Sequence, residues 1–181
     1  ITDNIYYVGV NDRSKHLFES MWPLPLGVSY NSYVIEDEKT VLIDTVDICY
    51  SDVFFRKIVS LLGDKPIDYL VVNHMEPDHS GSIELLVSRY PNIQIVGNKR
   101  SVDMLNGYYG ITKNVIQVED LEEINLGKYT LQFYMTPMVH WPETMMTYVK
   151  ENRVVFSGDA FGTFGTIDGG VLDTQLRTEK Y

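Results

Sequence analysis

The chain has 181 residues, 44% of them hydrophobic, which is enough for one domain with a substantial buried core. Fifteen Lys and Arg stand against 25 Asp and Glu, a net charge of −10 with no basic stripe, so the composition argues against nucleic acid and against an anionic membrane surface as partners. A single cysteine, Cys49, rules out an internal disulfide or a Cys-rich zinc or iron–sulfur site, and is expected to be a small buried hydrophobe.

In chain order, "NIYYVGV" (4–10), "SYNSYVI" (29–35) and "KTVLIDT" (39–45) read as strands from their β-branched and aromatic content, with "EDEK" as a hairpin turn between the last two. "SDVFFRKIVSLLG" (51–63) carries apolar residues at helical spacing, with Ser51 as N-cap candidate and Gly63 as terminator. "IDYLVVN" (67–73) is a buried strand, followed by a loop and by a helix over "GSIELLVSRYP" (81–91). "IQIVG" (93–97) is a strand and "KRSVDMLNGYYG" (99–110) a helix. "NVIQV" (114–118), "YTLQFYMT" (129–136), "TMMTYVK" (144–150) and "RVVFSGD" (153–159) are further strands, and "GTFGTIDGG" with the polar tail to Tyr181 reads as loop. No repeat or linker divides the chain, so residues 1–181 form one α/β domain of layered architecture. No apolar run approaches the ~18 residues of a membrane helix, and no signal peptide is visible, so a cytoplasmic location is expected. The chain begins at Ile1 rather than Met, which suggests that it is part of a longer protein.

The loop "NHMEPDHSG" (73–81) concentrates ligand chemistry. It leaves an apolar strand, and ligands at the carboxyl end of a buried strand sit in a natural crevice. His74, Glu76 and Asp78 alternate and would share one face of an extended segment; His79 joins them only if the chain turns at Pro77–Asp78. Such a turn could feed two neighbouring metals from one loop. A polar turn with Asp78 or Ser80 as helix cap is the plainer alternative. Two other strand ends also carry ligand types: His140 follows "YTLQFYMT" in "MVHWPETM", and Asp159 follows "RVVF" in "FSGDAFG". Three of the four histidines are thus involved, and His16, in the polar run "NDRSKH", reads as surface.

The strand–loop–helix motif, the strand-end His140 and "SGDAFG" together resemble the metallo-β-lactamase family, which implies an αββα sandwich with a two-metal site at one sheet edge. The hydrolases of that family carry HxHxDH, whereas here Glu76 gives H-x-E-x-D-H. With "YNSYVI" and "HWPETM", this variant resembles the flavodiiron proteins, or A-type flavoproteins. The resemblance implies two non-haem irons: His74, Glu76 and His140 on one, Asp78 and His79 on the other, and Asp159 as bridge. Glu76, Asp78 and His79 are also the candidates for catalysis.

The resemblance further implies reduction of dioxygen to water, of nitric oxide to nitrous oxide, or both. Electrons would come from FMN on a flavodoxin-like domain outside this chain, fed by a donor such as rubredoxin, in a head-to-tail homodimer. One more His, expected downstream for the second iron, has no counterpart among the four histidines. This chain alone is therefore expected to be inactive as a reductase. Tyr30, Asn31, Trp141 and Phe161 are candidates for orienting ligands, with ordinary packing as their alternative. A metal-dependent hydrolase of the same fold, or a non-catalytic metal-binding fragment, are the competing readings; Glu76 argues against the first, because a carboxylate in place of an imidazole suits iron.

Overall fold

The structure is a computed structural model and describes residues 1–167. The chain opens with β1 (Ile5–Tyr7), β2 (Val10–Asp12), a small hairpin of β3 (Leu17–Phe18) and β4 (Trp22–Pro23), then β5 (Val28–Tyr30), β6 (Tyr33–Ile35) and β7 (Val41–Ile43). A tight helical turn at Ile48–Tyr50 runs into α1 (Ser51–Leu62), followed by β8 (Tyr69–Val71), α2 (Pro77–Ser80), α3 (Ile83–Arg89), β9 (Gln94–Gly97) and α4 (Lys99–Tyr109). Then come β10 (Val115–Gln117), β11 (Glu123–Asn125), β12 (Thr130–Met135), β13 (Met145–Val149) and β14 (Val154–Phe156).

Six strands form the large sheet in the order β1-β6-β7-β8-β9-β10. Its first three strands are antiparallel, and β7 through β10 are parallel. The small sheet, β11-β12-β13-β14, is antiparallel throughout. Side chains that alternate along one strand enter different cores. Leu42, Leu70, Val72 and Ile95 join the cluster under the helices, with Phe54 and Ile58 of α1, Leu86 of α3 and Leu105 of α4. Their neighbours Val41, Ile43, Val71 and Val96 face the small sheet and pack on Leu131, Phe133, Met145 and Val149. That is why these strands read as continuous apolar runs: both faces of the large sheet are covered. The described residues supply the helix, sheet and sheet layers of the metallo-β-lactamase-like sandwich.

Several expectations need correction. The run 4–10 is two strands, because the chain leaves the large sheet after Tyr7 to pair β2 with β5. The run 29–35 also divides, into β5 and β6, for the same reason. The hairpin β3–β4 and the strand β11 lie in segments read as irregular. Ser51 is the first residue of α1 rather than its cap; the tight turn before it merges into the helix, and Asp47 caps that turn by accepting from the Cys49 N–H (3.0 Å). Cys49 is exposed, not buried, since this turn holds it on the surface. The helix expected over 81–91 is α3, Ile83–Arg89; the loop before it holds a further short helix, α2, and Pro77 occupies the first position of α2, where its missing N–H costs nothing. The tail beyond residue 167, read as loop, lies outside the described residues.

The small β2–β5 sheet is tied to the helical layer through a buried carboxylate. Asp12 Oδ1 accepts from Tyr50 Oη (2.7 Å) and from the Ser14 N–H (2.8 Å), and Oδ2 accepts from Tyr30 Oη (2.9 Å). Burial pushes the Asp12 carboxyl up, but the hydrogen bonds from Tyr50, Ser14 and Tyr30 outweigh it and hold the pKa down at about 2, against 3.8 for a free side chain. A depressed carboxyl contributes stability above its unfolded pKa and loses it as pH falls through the folded value. The shift corresponds to roughly 2 kcal/mol. Asp12→Asn is therefore expected to lower stability at neutral pH and to flatten the acid limb of the stability curve between about pH 4 and pH 2. Urea unfolding across that range checks it; parallel curves for parent and variant would mean that the Asp12 charge is not what the network stabilises.

Candidate metal centre

The donor-bearing residues sit at carboxyl ends of strands from both sheets. β8 ends at Val71 and passes through Asn73 to His74 and Glu76. Asn73 is fixed on three sides: its N–H donates to Asp44 Oδ1 (2.7 Å), its carbonyl accepts from the Met145 N–H (3.0 Å), and its Oδ1 accepts from Thr147 Oγ1 (2.7 Å). The loop therefore leaves the large sheet clamped to β13 of the small one. α2 then supplies the turn that His79 requires. A Cβ at Gly81, just after α2, would meet the Pro77 carbonyl at 2.6 Å and the Ile48 nitrogen at 2.9 Å, so α2 can lie this close to the chain beside it only with glycine there.

Six predicted residues converge. Glu76 Oε2 lies 3.1 Å from His74 Nε2 and 3.0 Å from His140 Nε2, and the two imidazole nitrogens are 3.3 Å apart. Asp159 reaches both sides: its Oδ2 is 3.3 Å from His140 Nε2, and its Oδ1 is 2.8 Å from His79 Nε2. Asp78 Oδ2 stands 3.9 Å from His79 Nε2. His74, Glu76, His140 and Asp159 each offer one atom within 4.8 Å of the others. Neighbouring ligands about 2.0–2.2 Å from one ion would be ~3.0–3.5 Å apart, which is the spacing found here. Glu76 Oε1 and Asp78 Oδ1 are buried and have no hydrogen-bond partner. Unpaired buried carboxylate oxygens are costly unless a cation meets them, so the residues present fit a metal pair: a four-donor set on one side and a three-donor set on the other, sharing Asp159.

Two residues behind the imidazoles escaped the sequence reading. Glu143 Oε1 accepts from His74 Nδ1 (2.7 Å) and from the Met75 N–H (2.9 Å), which leaves Nε2 for the centre. Asp44, at the end of β7, places Oδ2 3.5 Å from His79 Nδ1. Asp44 follows the rule that found the others, a carboxylate straight after an apolar strand, in "LIDT". Glu143 lies in the "HWPETM" segment but looks there like an ordinary loop residue.

The charges respond to this crowding. Burial works to lower the His74 pKa, yet hydrogen bonds to Glu143 and Glu76 raise it to about 9. His79 is likewise opposed by burial and held well above its ordinary value by Asp159 and Asp44. Burial, aided by Asp159 and Glu76, pushes Asp78 up to about 6. Asp159 is drawn down to about 2, because His79 and the other imidazoles outweigh its burial. In the metal-free protein, protons on the imidazoles thus hold the carboxylates together, and a cation would take their place.

A cleft of about 490 Å³ opens onto Glu76, Asp78, His140 and Asp159. Phe18, Trp22 and Phe164 wall it, with the Phe18 and Phe164 rings 5.2 Å apart. Of the four candidate orienting residues, Trp141 meets the His74 ring edge-on at 5.3 Å and Asn31 lines the cleft. Tyr30 is core, committed to Asp12, and Phe161 is 95% exposed. His16 is exposed, as expected.

Fold and site together define a metallo-β-lactamase-like domain with a carboxylate-rich candidate metal site. Residues 28–175 match the family model described as ODP family beta lactamase, and the chain belongs to that family. It is 40% identical over 166 residues to an anaerobic nitric oxide reductase flavorubredoxin of Pectobacterium carotovorum, covering 90% of this chain and 33% of that protein. An uncharacterised protein of Methanocaldococcus jannaschii is 43% identical over 165 residues, covering 90% of this chain and 41% of its own length. Among solved structures, the rubredoxin oxygen:oxidoreductase of Desulfovibrio gigas superposes with a TM-score of 0.94 at 31% identity, covering 99% of this chain and 45% of that one. The flavodiiron protein of Giardia intestinalis gives a TM-score of 0.88 at 32% identity, with 92% and 41% coverage. The chain resembles the metallo-β-lactamase-like part of these flavodiiron relatives, and it spans less than half of their length. Among the described residues, no helix is long and apolar enough to cross a membrane.

Glu143→Ala is expected to weaken binding of the first metal by ~10–100-fold. Glu143→Gln, which keeps the acceptor and loses the charge, should cost less. Titration against a competing chelator measures both, and an unchanged affinity in the Ala variant would mean that His74 needs no partner to face the centre.

Proposed function

We propose that the chain is the catalytic domain of a diiron oxidoreductase that reduces dioxygen to water, nitric oxide to nitrous oxide, or both. The carrying observation is the Asp159 carboxylate, whose two oxygens face two different donor sets. In this reading His74, Glu76 and His140 would hold one iron and Asp78 and His79 the other, with Asp159 available to both. The irons would bind the diatomic and pass electrons to it. Glu76, Asp78 and His79 are the residues nearest the chemistry.

The protein's own residues set the conditions. Three carboxylates and three imidazoles make a hard, anionic donor set, which suits iron and favours its oxidised form. Glu143 fixes the His74 imidazole, and the Asp44 carboxylate lies beside that of His79. The aromatic wall of Phe18, Trp22 and Phe164 gives a small apolar molecule a favourable path and thins out bulk water near the centre. Asn31, also on the cleft, offers a polar side chain there.

Electrons would arrive from FMN on a flavodoxin-like domain, itself reduced by a donor such as rubredoxin, and the flavin would belong to the neighbouring subunit of a head-to-tail homodimer. Exposed Met21, Trp22, Met138 and Phe161 support this arrangement, since apolar side chains gathered near a site mark a surface that another chain covers. A cytoplasmic location belongs to the same reading.

Glu76→His tests the choice of metal. In the full-length protein grown with iron and zinc both available, the variant is expected to shift its metal content toward zinc and to lose reduction of oxygen or nitric oxide. An unchanged iron-to-zinc ratio would show that Glu76 does not select the metal. Zinc in the parent, with esterase or lactamase turnover, would overturn the oxidoreductase reading in favour of hydrolysis.

A further inference from the structure

Asp159 hangs on a loop that has little stiffness of its own. Glycines at 158, 162 and 165 punctuate it, and Gly158 takes a φ of 58°. Its internal bonds are short-range: the Ala160 N–H donates to Ser157 O (3.2 Å), and the Gly162 N–H donates to Asp159 O (3.0 Å). Glycine-rich backbone of this kind samples many conformations unless both ends are tied. One end is β14. The other end, residues 165–167, is tied to the β2–β5 sheet by side chains rather than by a strand ladder.

Asn11 on β2 presents its carboxamide to the backbone of Ile167. Its Nδ2 donates to Ile167 O (3.0 Å), and its Oδ1 accepts from the Ile167 N–H (3.0 Å). Ser29 on β5 donates its hydroxyl to Gly165 O (2.8 Å), and its Oγ lies 3.1 Å from the Ile167 nitrogen. The Thr166 N–H donates to Leu26 O (3.0 Å), and Thr166 itself is buried. The amide is therefore used as a two-pronged clip, a geometry that neither an Ala nor an acid can reproduce. Between the clip and β14 the loop supplies Asp159 and also Gly162, Thr163 and Phe164 of the cleft wall.

We infer that Asn11, assisted by Ser29, is a positioning residue for Asp159: the clip closes the loop so that the carboxylate reaches both donor sets. This rests on the reading of Asp159 as a bridge between two metals. It assigns a role in the centre to a residue that shares no segment with any ligand.

The test compares full-length parent protein with Asn11→Ala and, separately, Ser29→Ala. In the metal-free proteins, hydrogen exchange of the amides between 157 and 167 is expected to speed up in both variants, with β8 and β12 unchanged. After reconstitution with ferrous iron, the variants are expected to take the first iron as the parent does and the second ~10-fold more weakly, with reduced spin coupling between the metals. A purely structural role would lower the melting temperature and leave the coupling intact. Parent-like exchange in both variants, or two irons with parent-like coupling, overturns the inference. If the parent itself takes up no pair of irons, the functional reading fails, and the exchange result alone decides whether the clip holds the loop. Should Asn11→Ala not fold, Ser29→Ala, a smaller change, decides by the same measurements.

Discussion

Imidazole and carboxylate groups must be brought to one point from distant parts of the chain, and the organisation of this domain follows from that constraint. His74 Nε2, His140 Nε2 and Glu76 Oε2 lie 3.0–3.3 Å apart, with His74 and Glu76 buried and His140 at the mouth of the cleft. A flexible chain would let them separate. Here two of them follow β8 of the large sheet and one follows β12 of the small sheet, and Asn73 bolts the two sheets together beside them. The apolar cluster between the sheets, with Phe133, Met145 and Val71 at its heart, is thus more than a source of stability. It fixes the distance across which His74 and His140 meet.

The second consequence is electrostatic. Each imidazole that turns one nitrogen to the centre must satisfy the other in a buried setting. Glu143 does this for His74 with a hydrogen bond, and the Asp44 carboxylate stands 3.5 Å from His79 Nδ1. The centre therefore carries negative charge in its donors and again behind them. An anionic surround stabilises higher metal charge, which agrees with the exchange of imidazole for Glu76 inside the motif. Glu76 and Glu143 thus add negative charge on both sides of the His74 imidazole.

What the sequence displays and what it hides divide along the same physical lines. The candidate ligands were legible because each lies a few residues after an apolar run: "YLVV" before His74, "YTLQFYMT" before His140, "RVVF" before Asp159. The turn at Pro77 could be read as a turn, but not as the first residue of a helix, because four helical residues carry no period. Glu143 pairs with a residue 69 positions away, and Asp44 touches Asn73 across 29, so neither partnership leaves a local trace. The β3–β4 hairpin was invisible because strands of two residues have no alternation to detect. The splits after Tyr7 and at Asn31 arise from the transfer of the chain between sheets, which is a tertiary event. Cys49 was misplaced by a general tendency of free cysteines, overridden by a turn that faces solvent.

The centre is assembled unevenly, and this bears on how it works. The side chain of His74 is 1% exposed and that of Glu76 3%, whereas those of Asp159 and His140 are 37% and 54% exposed. One half is therefore built into the sandwich core, and its geometry is fixed once the sheets have packed. The other half depends on the "HWPE" loop and on the glycine-rich loop that bears Asp159, both at the mouth of the cleft. Local stability falls from packed core to exposed loop, so the buried half can stand ready while the exposed half adjusts. The two oxygens of Asp159 are then the point at which the exposed part of the site meets the buried part, where Glu143 holds His74 from behind. The division between a sheet-borne half and a loop-borne half is thus a property of the architecture that any chemistry at this site has to use.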